Sequence, residues 1–302
     1  MIFKKYQHVC RLGTEEVDGI LNGKCYVFPK MDGTNGSVWL NDEGKVCAGS
    51  RNKMLGIGKE DNYAFHHHIT NDDKIASYLK EHPTHRLFGE WLVPHTLKTY
   101  TEDSWKKFYI FDVCVDDGEE LKYLPYEEYE PLLKEFGLLF LEPLAIVDNP
   151  SVEEVKELVK NNTYRIKENA GCGEGVVIKR YNYVNKYGRV VWAKVLHDEF
   201  NVIKQNKTKE IHNNNQEVES LILEEYVTSH FIEKEYAKII NEHTGIDRKH
   251  LIPMLLSKVW YELINEEMWN ILKKYKNPTI DFKKINKMVI NKVKEVKADI
   301  FA

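Results

Sequence analysis

No run of 18 apolar residues occurs in this 302-residue chain, so no membrane-spanning helix is expected. The start, Met1-Ile2-Phe3-Lys4-Lys5-Tyr6, lacks a long apolar stretch ahead of a small-residue cleavage site, and secretion is not expected either. Cysteine is sparse: Cys10, Cys25, Cys47, Cys114 and Cys172 are odd in number, widely spaced and form no CxxC pair. That pattern argues against both a disulfide framework and a zinc site, and a cytoplasmic location is the default expectation. No internal repeat is found. A strong excess of one charge is missing too. The net charge of −4 at first disfavours a nucleic-acid partner.

What remains is ordinary globular composition, 42% hydrophobic and 30% charged, in a chain long enough for one large domain and a smaller one. The charge is unevenly spread. From Lys273 to Lys297, nine lysines (273, 274, 276, 283, 284, 287, 292, 294, 297) face only Asp281 and Glu295, a local balance of +7. A phosphate backbone answers to such patches more than to the whole-chain sum. A solvated helix face explains the same residues equally well.

One stretch organises the chain: Lys30-Met31-Asp32-Gly33-Thr34-Asn35-Gly36, entered from Tyr26-Val27-Phe28-Pro29. The entry reads as a strand, since aromatic and β-branched residues suit a pleated, half-buried surface. Pro29 should loosen it, and Gly33 and Gly36 permit a sharp turn close to a ligand. A lysine thus ends a strand beside a carboxylate and two small polar groups. Amines of this type become nucleophiles when desolvation and neighbouring cations leave them uncharged. Alone, Lys-x-Asp-Gly is short, and a turn with a solvated lysine is its commoner meaning.

Residues 36–50 read as a hairpin around Asn41-Asp42-Glu43-Gly44, followed by Ser50-Arg51. Arg51 is either a surface arginine or a planar fork returning to the lysine pocket. A helix is expected over Asp72–Glu81. His66-His67-His68 is read as structural or surface, because adjacent residues cannot all face one ion. His85–Leu92 is a strand with Glu90 among apolar residues, and buried carboxylates need partners. Lys107–Cys114 is another, carrying Phe111, which either fills core or stacks on a base. Helices are expected over 125–136 and 151–161, the second opened by a Ser151/Glu154 capping box. Glu174–Arg180 and Arg189–Leu196 form a second hairpin with Glu174 at one end and Lys179 and Lys194 along it. By alternation, Lys194 shares a face with Trp192. A polar linker is read around 197–216. Three helices follow, marked by Val218–Ile239, Leu255–Trp269 and Phe282–Val296.

Together these segments resemble the covalent nucleotidyltransferase superfamily of ligases and mRNA-capping enzymes. The resemblance rests on Lys30-x-Asp32-Gly33, Ser50-Arg51, Phe88-Gly89-Glu90-Trp91, Tyr109-Ile110-Phe111-Asp112, Glu174-Gly-Val-Val-Ile178 and Ala193-Lys194, in that order. Lys-x-Asp-Gly-Thr-Asn and a helical C-terminal domain point to RNA ligases, nearest the bacteriophage RNA ligase two family, which includes RNA-editing ligases. One departure stands out: that family's last motif has two lysines one residue apart, and Trp192 takes the place of the first. Arg189 or Lys179 is the candidate replacement.

The resemblance implies an α+β fold, with an antiparallel-sheet adenylyltransferase domain over 1–200 and an RNA-binding helical domain over 215–302. It implies an ATP-dependent RNA ligase, with a DNA or mixed-strand sealer as the alternative and a non-catalytic RNA-binding protein as a third reading. Lys30 would attack ATP, AMP would pass to a 5′-phosphate, and a 3′-hydroxyl would displace it. Lys30, Arg51 and Lys194 are the implied catalytic cations. Pro29, Asn35, Glu90, Phe111 and Lys179 would bind the nucleotide, and Glu174, with Asp32, would hold Mg2+ or Mn2+. The expected partner is RNA, as a nicked duplex or single-stranded ends, with no membrane, and the protein is expected to be a monomer.

Overall fold

The computed structural model describes residues 1–56, 64–94, 97–197, 217–243 and 245–301. The chain divides into two compact units, Met1–Glu199 and Phe200–Ala302. The polar linker read around 197–216 lies, beyond His197, outside the described residues.

The first unit is α+β and holds two five-stranded sheets. One runs β1 (Cys10–Arg11), β10 (Ala193–Leu196), β9 (Gly175–Lys179), β2 (Lys24–Lys30), β8 (Ala145–Asp148). The other runs β4 (Val46–Ser50), β3 (Thr34–Leu40), β5 (His85–Trp91), β6 (Phe108–Asp116), β7 (Leu121–Tyr123). Neighbours pair antiparallel except β1 with β10. The helices of this unit are α1 (Phe65–Thr70), α2 (Asp73–Glu81), α3 (Tyr126–Glu135) and α4 (Val152–Lys160). Asp72 caps α2 by accepting from Lys74 and Ile75 N–H, and α4 opens with the expected capping box. Phe28, Val38, Trp91 and Tyr109 belong to one buried core that draws on both sheets. All five cysteines are free thiols.

Pro29 does not break β2. The carbonyl of Val27 accepts from Leu144 N–H on the β8 side, so Pro29, two residues on, turns its nitrogen and carbonyl to that same edge. β8 reaches only Val27, and a missing donor at an unpaired edge costs no ladder bond. Three short strands, β1, β7 and β8, have no counterpart in the sequence reading, and β10 starts at Ala193 rather than Arg189.

The second unit is helical: α5 (Val218–Tyr226), α6 (Ser229–Glu242), α7 (Arg248–Glu262), α8 (Met268–Lys274), α9 (Phe282–Val296) and α10 (Ala298–Phe301). The single helix expected over 218–239 is two, because Thr228 caps a new helix through its hydroxyl and Phe231 N–H, 3.1 Å apart. Between α7 and α8, Leu263–Glu267 is a π turn. Its wider winding keeps Leu251, Leu255, Val259, Leu263, Glu267 and Ile271 buried at a strict spacing of four. Trp269 and Phe282, expected on the buried stripes, are instead 60% and 51% exposed. Much of the basic excess is also neutralised: Lys274 pairs with Glu225, Lys284 with Glu217, Lys292 with Glu295 and Lys297 with Glu233.

Candidate active site

Strand register assembles the site. Lys30 ends β2 opposite Gly175, the first residue of β9, so the residue before it, Glu174, arrives beside the amine. Lys30 Nζ and Glu174 Oε2 are 2.6 Å apart, with side chains 23% and 6% exposed. A side chain at Gly175 would put Cβ 2.1 Å from the Val195 carbonyl, so only glycine lets β9 start this close to β10. Phe28, Val177 and Lys194 are partners across β2, β9 and β10, and Lys30 lies two residues along from Phe28. Period-two alternation therefore puts Lys30, Lys179 and Lys194 on one sheet face. Lys194 is half-buried there.

The loop after Lys30 is tied down by the second sheet. Gly33 N–H donates to Glu90 Oε1 at 3.0 Å, which supplies the partner that Glu90 needed. A Cβ on Gly33 would meet the Trp91 carbonyl at 2.6 Å. Asp32 is buried; its backbone N–H donates to the Tyr100 hydroxyl at 2.9 Å and its Oδ2 accepts from Leu97 N–H at 2.7 Å. Asn35 is opposite Glu90 at the root of β3. Arg51 is exposed, one residue past Ser50, whose partner is Gly36, so it sits at this same end of the sheet.

Glu90 senses the Lys30 amine and two further carboxylates, Glu174 and Asp32. Burial pushes the Glu90 carboxyl up to about 7, Lys30 opposes that rise, and Glu174 and Asp32 add to it. The Tyr100 hydroxyl is likewise raised by burial, against its hydrogen bond from the Asp32 N–H, with Glu174, Asp32 and Glu90 adding. Among the described residues, no group of three or more His, Cys, Asp or Glu side chains is already arranged around a metal position. Glu174 and Asp32 offer only oxygen donors, which suits a hard divalent cation that keeps several waters.

Phe111 is the bulged residue of β6. Phe88 pairs with Asp112 and Gly89 with Ile110, so Phe111 is left out of the β5–β6 ladder. Its half-buried ring lies near the Lys179 amine, 5.6 Å from its centroid. Lys179 itself is not placed to meet a ligand. Its amine, 2% exposed, pairs with Asp112 at 2.8 Å and donates to the Phe111 carbonyl. Burial raises Asp112 and lowers Lys179, while their contact opposes both shifts. Nucleotide contact is the sequence expectation for Lys179; its amine is enclosed against Asp112 instead, and we propose a structural role for it. Trp192, which takes the place of the first lysine, is itself fully buried, with Tyr123 and Tyr181 rings 5.5 and 5.4 Å away and the Lys179 amine 5.9 Å from its ring centroid. Lys179→Met should lower unfolding stability by about 3–5 kcal/mol in a denaturant titration, because Asp112 stays buried without its partner. A change under about 1 kcal/mol would contradict the structural role.

Sequence reasoning missed Tyr100 and Asp112 as site supports. Their partners lie 68 and 67 residues away, and no local pattern signals such a contact.

The model of the RNA ligase family matches residues 23–196. No curated protein matches the chain. Solved structures of Naegleria gruberi RNA ligase variants share the fold. One, with AMP and Mn, has a TM-score of 0.50 and 18% identity over 68% of this chain and 59% of its own. Another, with ATP and Mn, has the same score and identity over 68% and 58%. This chain thus spans about three fifths of the Naegleria protein. The family match runs from the strand that carries Lys30 to the strand that carries Lys194 and covers more than half the sequence: the chain belongs to the RNA ligase family.

Proposed function

We propose that this protein is an ATP-dependent RNA ligase that joins 3′-hydroxyl and 5′-phosphate ends through AMP bonded to Lys30. The observation that carries the reading is the Lys30–Glu174 contact at 2.6 Å, set at the mouth of a sheet face shared with Lys194. The family match and the ATP- and AMP-bound Naegleria structures support it.

In this scheme the Lys30 amine attacks the α-phosphorus of ATP and pyrophosphate leaves. The Lys30 N–P bond then breaks as a 5′-phosphate oxygen of RNA takes the AMP. Last, a 3′-hydroxyl attacks that 5′-phosphorus, AMP leaves and a phosphodiester forms. Charge grows on phosphoryl oxygens in each displacement, so the chain's work is positioning and electrostatic support. Lys194 and Arg51 supply cationic donors for those oxygens. Glu90 accepts from a ribose hydroxyl, with Asn35 opposite it on β3. Phe111 stacks on adenine, and the outward carbonyl of Pro29 accepts a hydrogen bond from the adenine amino group. A divalent cation held by Glu174, with Asp32 through water, would neutralise phosphate charge when bound.

The helical unit serves the RNA strands in this reading. Protein ending near residue 197 should still acquire AMP from ATP at close to the full-length rate, yet seal nicked duplexes at least tenfold more slowly. Equal sealing by the truncated and intact proteins would remove the strand-binding role. Offering nicks with RNA or DNA on each side tests the substrate. Sealing only where the 3′-hydroxyl strand is RNA fits the proposal, and efficient all-DNA sealing overturns the RNA assignment.

A further inference from the structure

The first eleven residues form a strap that none of the motifs includes. Trp39 Nε1 donates to the Met1 carbonyl at 3.2 Å, Arg86 donates to the Ile2 carbonyl at 2.6 Å, and Lys4 pairs with Asp116 at 2.7 Å. Those anchors lie on β3, β5 and β6. Further on, the Gln7 amide bridges the Val190 carbonyl and Trp192 Nε1, each at 2.6 Å in the orientation that satisfies both. Cys10–Arg11 then pairs with β10. The strap therefore crosses from one sheet to the other.

Midway stands Tyr6. Its ring meets the Phe111 ring edge-on, with centroids 5.0 Å apart at 61°, and lies 5.0 Å from Phe88. Its hydroxyl donates to Asp112 Oδ2. Asp112 Oδ1 holds Lys179, which in turn donates to the Phe111 carbonyl. Phe111 is the bulged residue of β6 and has no ladder partner on β5. What the ladder does not fix, Tyr6 fixes at the ring and Lys179 at the backbone.

We propose that Tyr6 is a positioning residue, holding the bulged Phe111 ring in the plane that receives the purine base of the nucleotide. The inference rests on the nucleotide-binding reading above. A ring already held in its bound orientation loses less freedom on stacking, and preorganisation of one side chain is worth roughly a three- to tenfold gain in affinity.

Equilibrium binding of ATP and of inorganic tripolyphosphate, measured on the full chain, separates base from phosphate. Tyr6→Leu should weaken ATP binding three- to tenfold and leave tripolyphosphate unchanged, while Tyr6→Phe, which keeps the ring, should recover most of the ATP affinity. If Tyr6→Leu does not fold, Tyr6→Met fills similar volume without a rigid ring and carries the same expectation. Unchanged ATP affinity, or an equal loss for both ligands, would overturn the positioning role. A wild-type protein that binds tripolyphosphate as tightly as ATP would overturn the base-binding reading itself, and that result is seen before any substitution is made.

Discussion

Lys30→Ala is expected to remove covalent AMP from the protein, by about three orders of magnitude or more in an assay with ATP labelled at the α-phosphate. The reason is that, among the described residues, the other lysines on the shared sheet face are held elsewhere: Lys24, six residues back along β2, pairs with Glu127. Lys179 is sealed against Asp112, and Lys194 stands on β10, across β9 from the strand of Lys30. A backbone fixed by pairing on one side and by the Gly33–Glu90 contact on the other leaves little room for either to shift. Lys30→Arg should fail as completely, because a guanidinium stays charged and has no free amine pair to attack phosphorus. Wild-type labelling retained after Lys30→Ala would disprove the nucleophile assignment.

The second large effect is expected at Glu174. Glu174→Gln keeps the shape of the side chain and removes its charge. Self-adenylylation should slow by about a hundredfold or more, since the same carboxylate faces the nucleophile and is the proposed oxygen ligand of the cation. Higher metal concentration should restore part of the rate if the lost function is cation binding. Folding should suffer little: Lys30 is partly exposed and can be solvated when its partner is neutral, so the stability change should stay near or below about 1 kcal/mol. Measuring labelling rate against thermal unfolding separates the two effects. An unchanged rate in a folded variant would contradict the role.

Local pattern made much of the first unit legible. The β3–β4 hairpin and the capping box of α4 follow from turn residues and cap chemistry. The same logic failed where geometry depends on distant residues or on a change of period. β8 is four residues long at a sheet edge and alternates only between half-buried and exposed positions, so it shows little hydrophobic signal. Lys179 looked like one more cation beside a ligand pocket because its partner, Asp112, lies 67 residues earlier on the other sheet. A 3.6-residue period puts Trp269 on a buried stripe, and the π turn interrupts that period. The bulge that leaves Phe111 out of the ladder falls beside Gly89, where a Cβ would meet the Phe108 ring at 2.5 Å. No short-range reading of the strand reveals it.

Peptide mapping of the protein after reaction with ATP and magnesium tests the central claim most directly. One modified peptide should appear, the one containing Lys30, with AMP attached through an acid-labile, alkali-stable P–N bond. AMP on a different peptide, or no covalent AMP on protein that is folded and binds ATP, would contradict it.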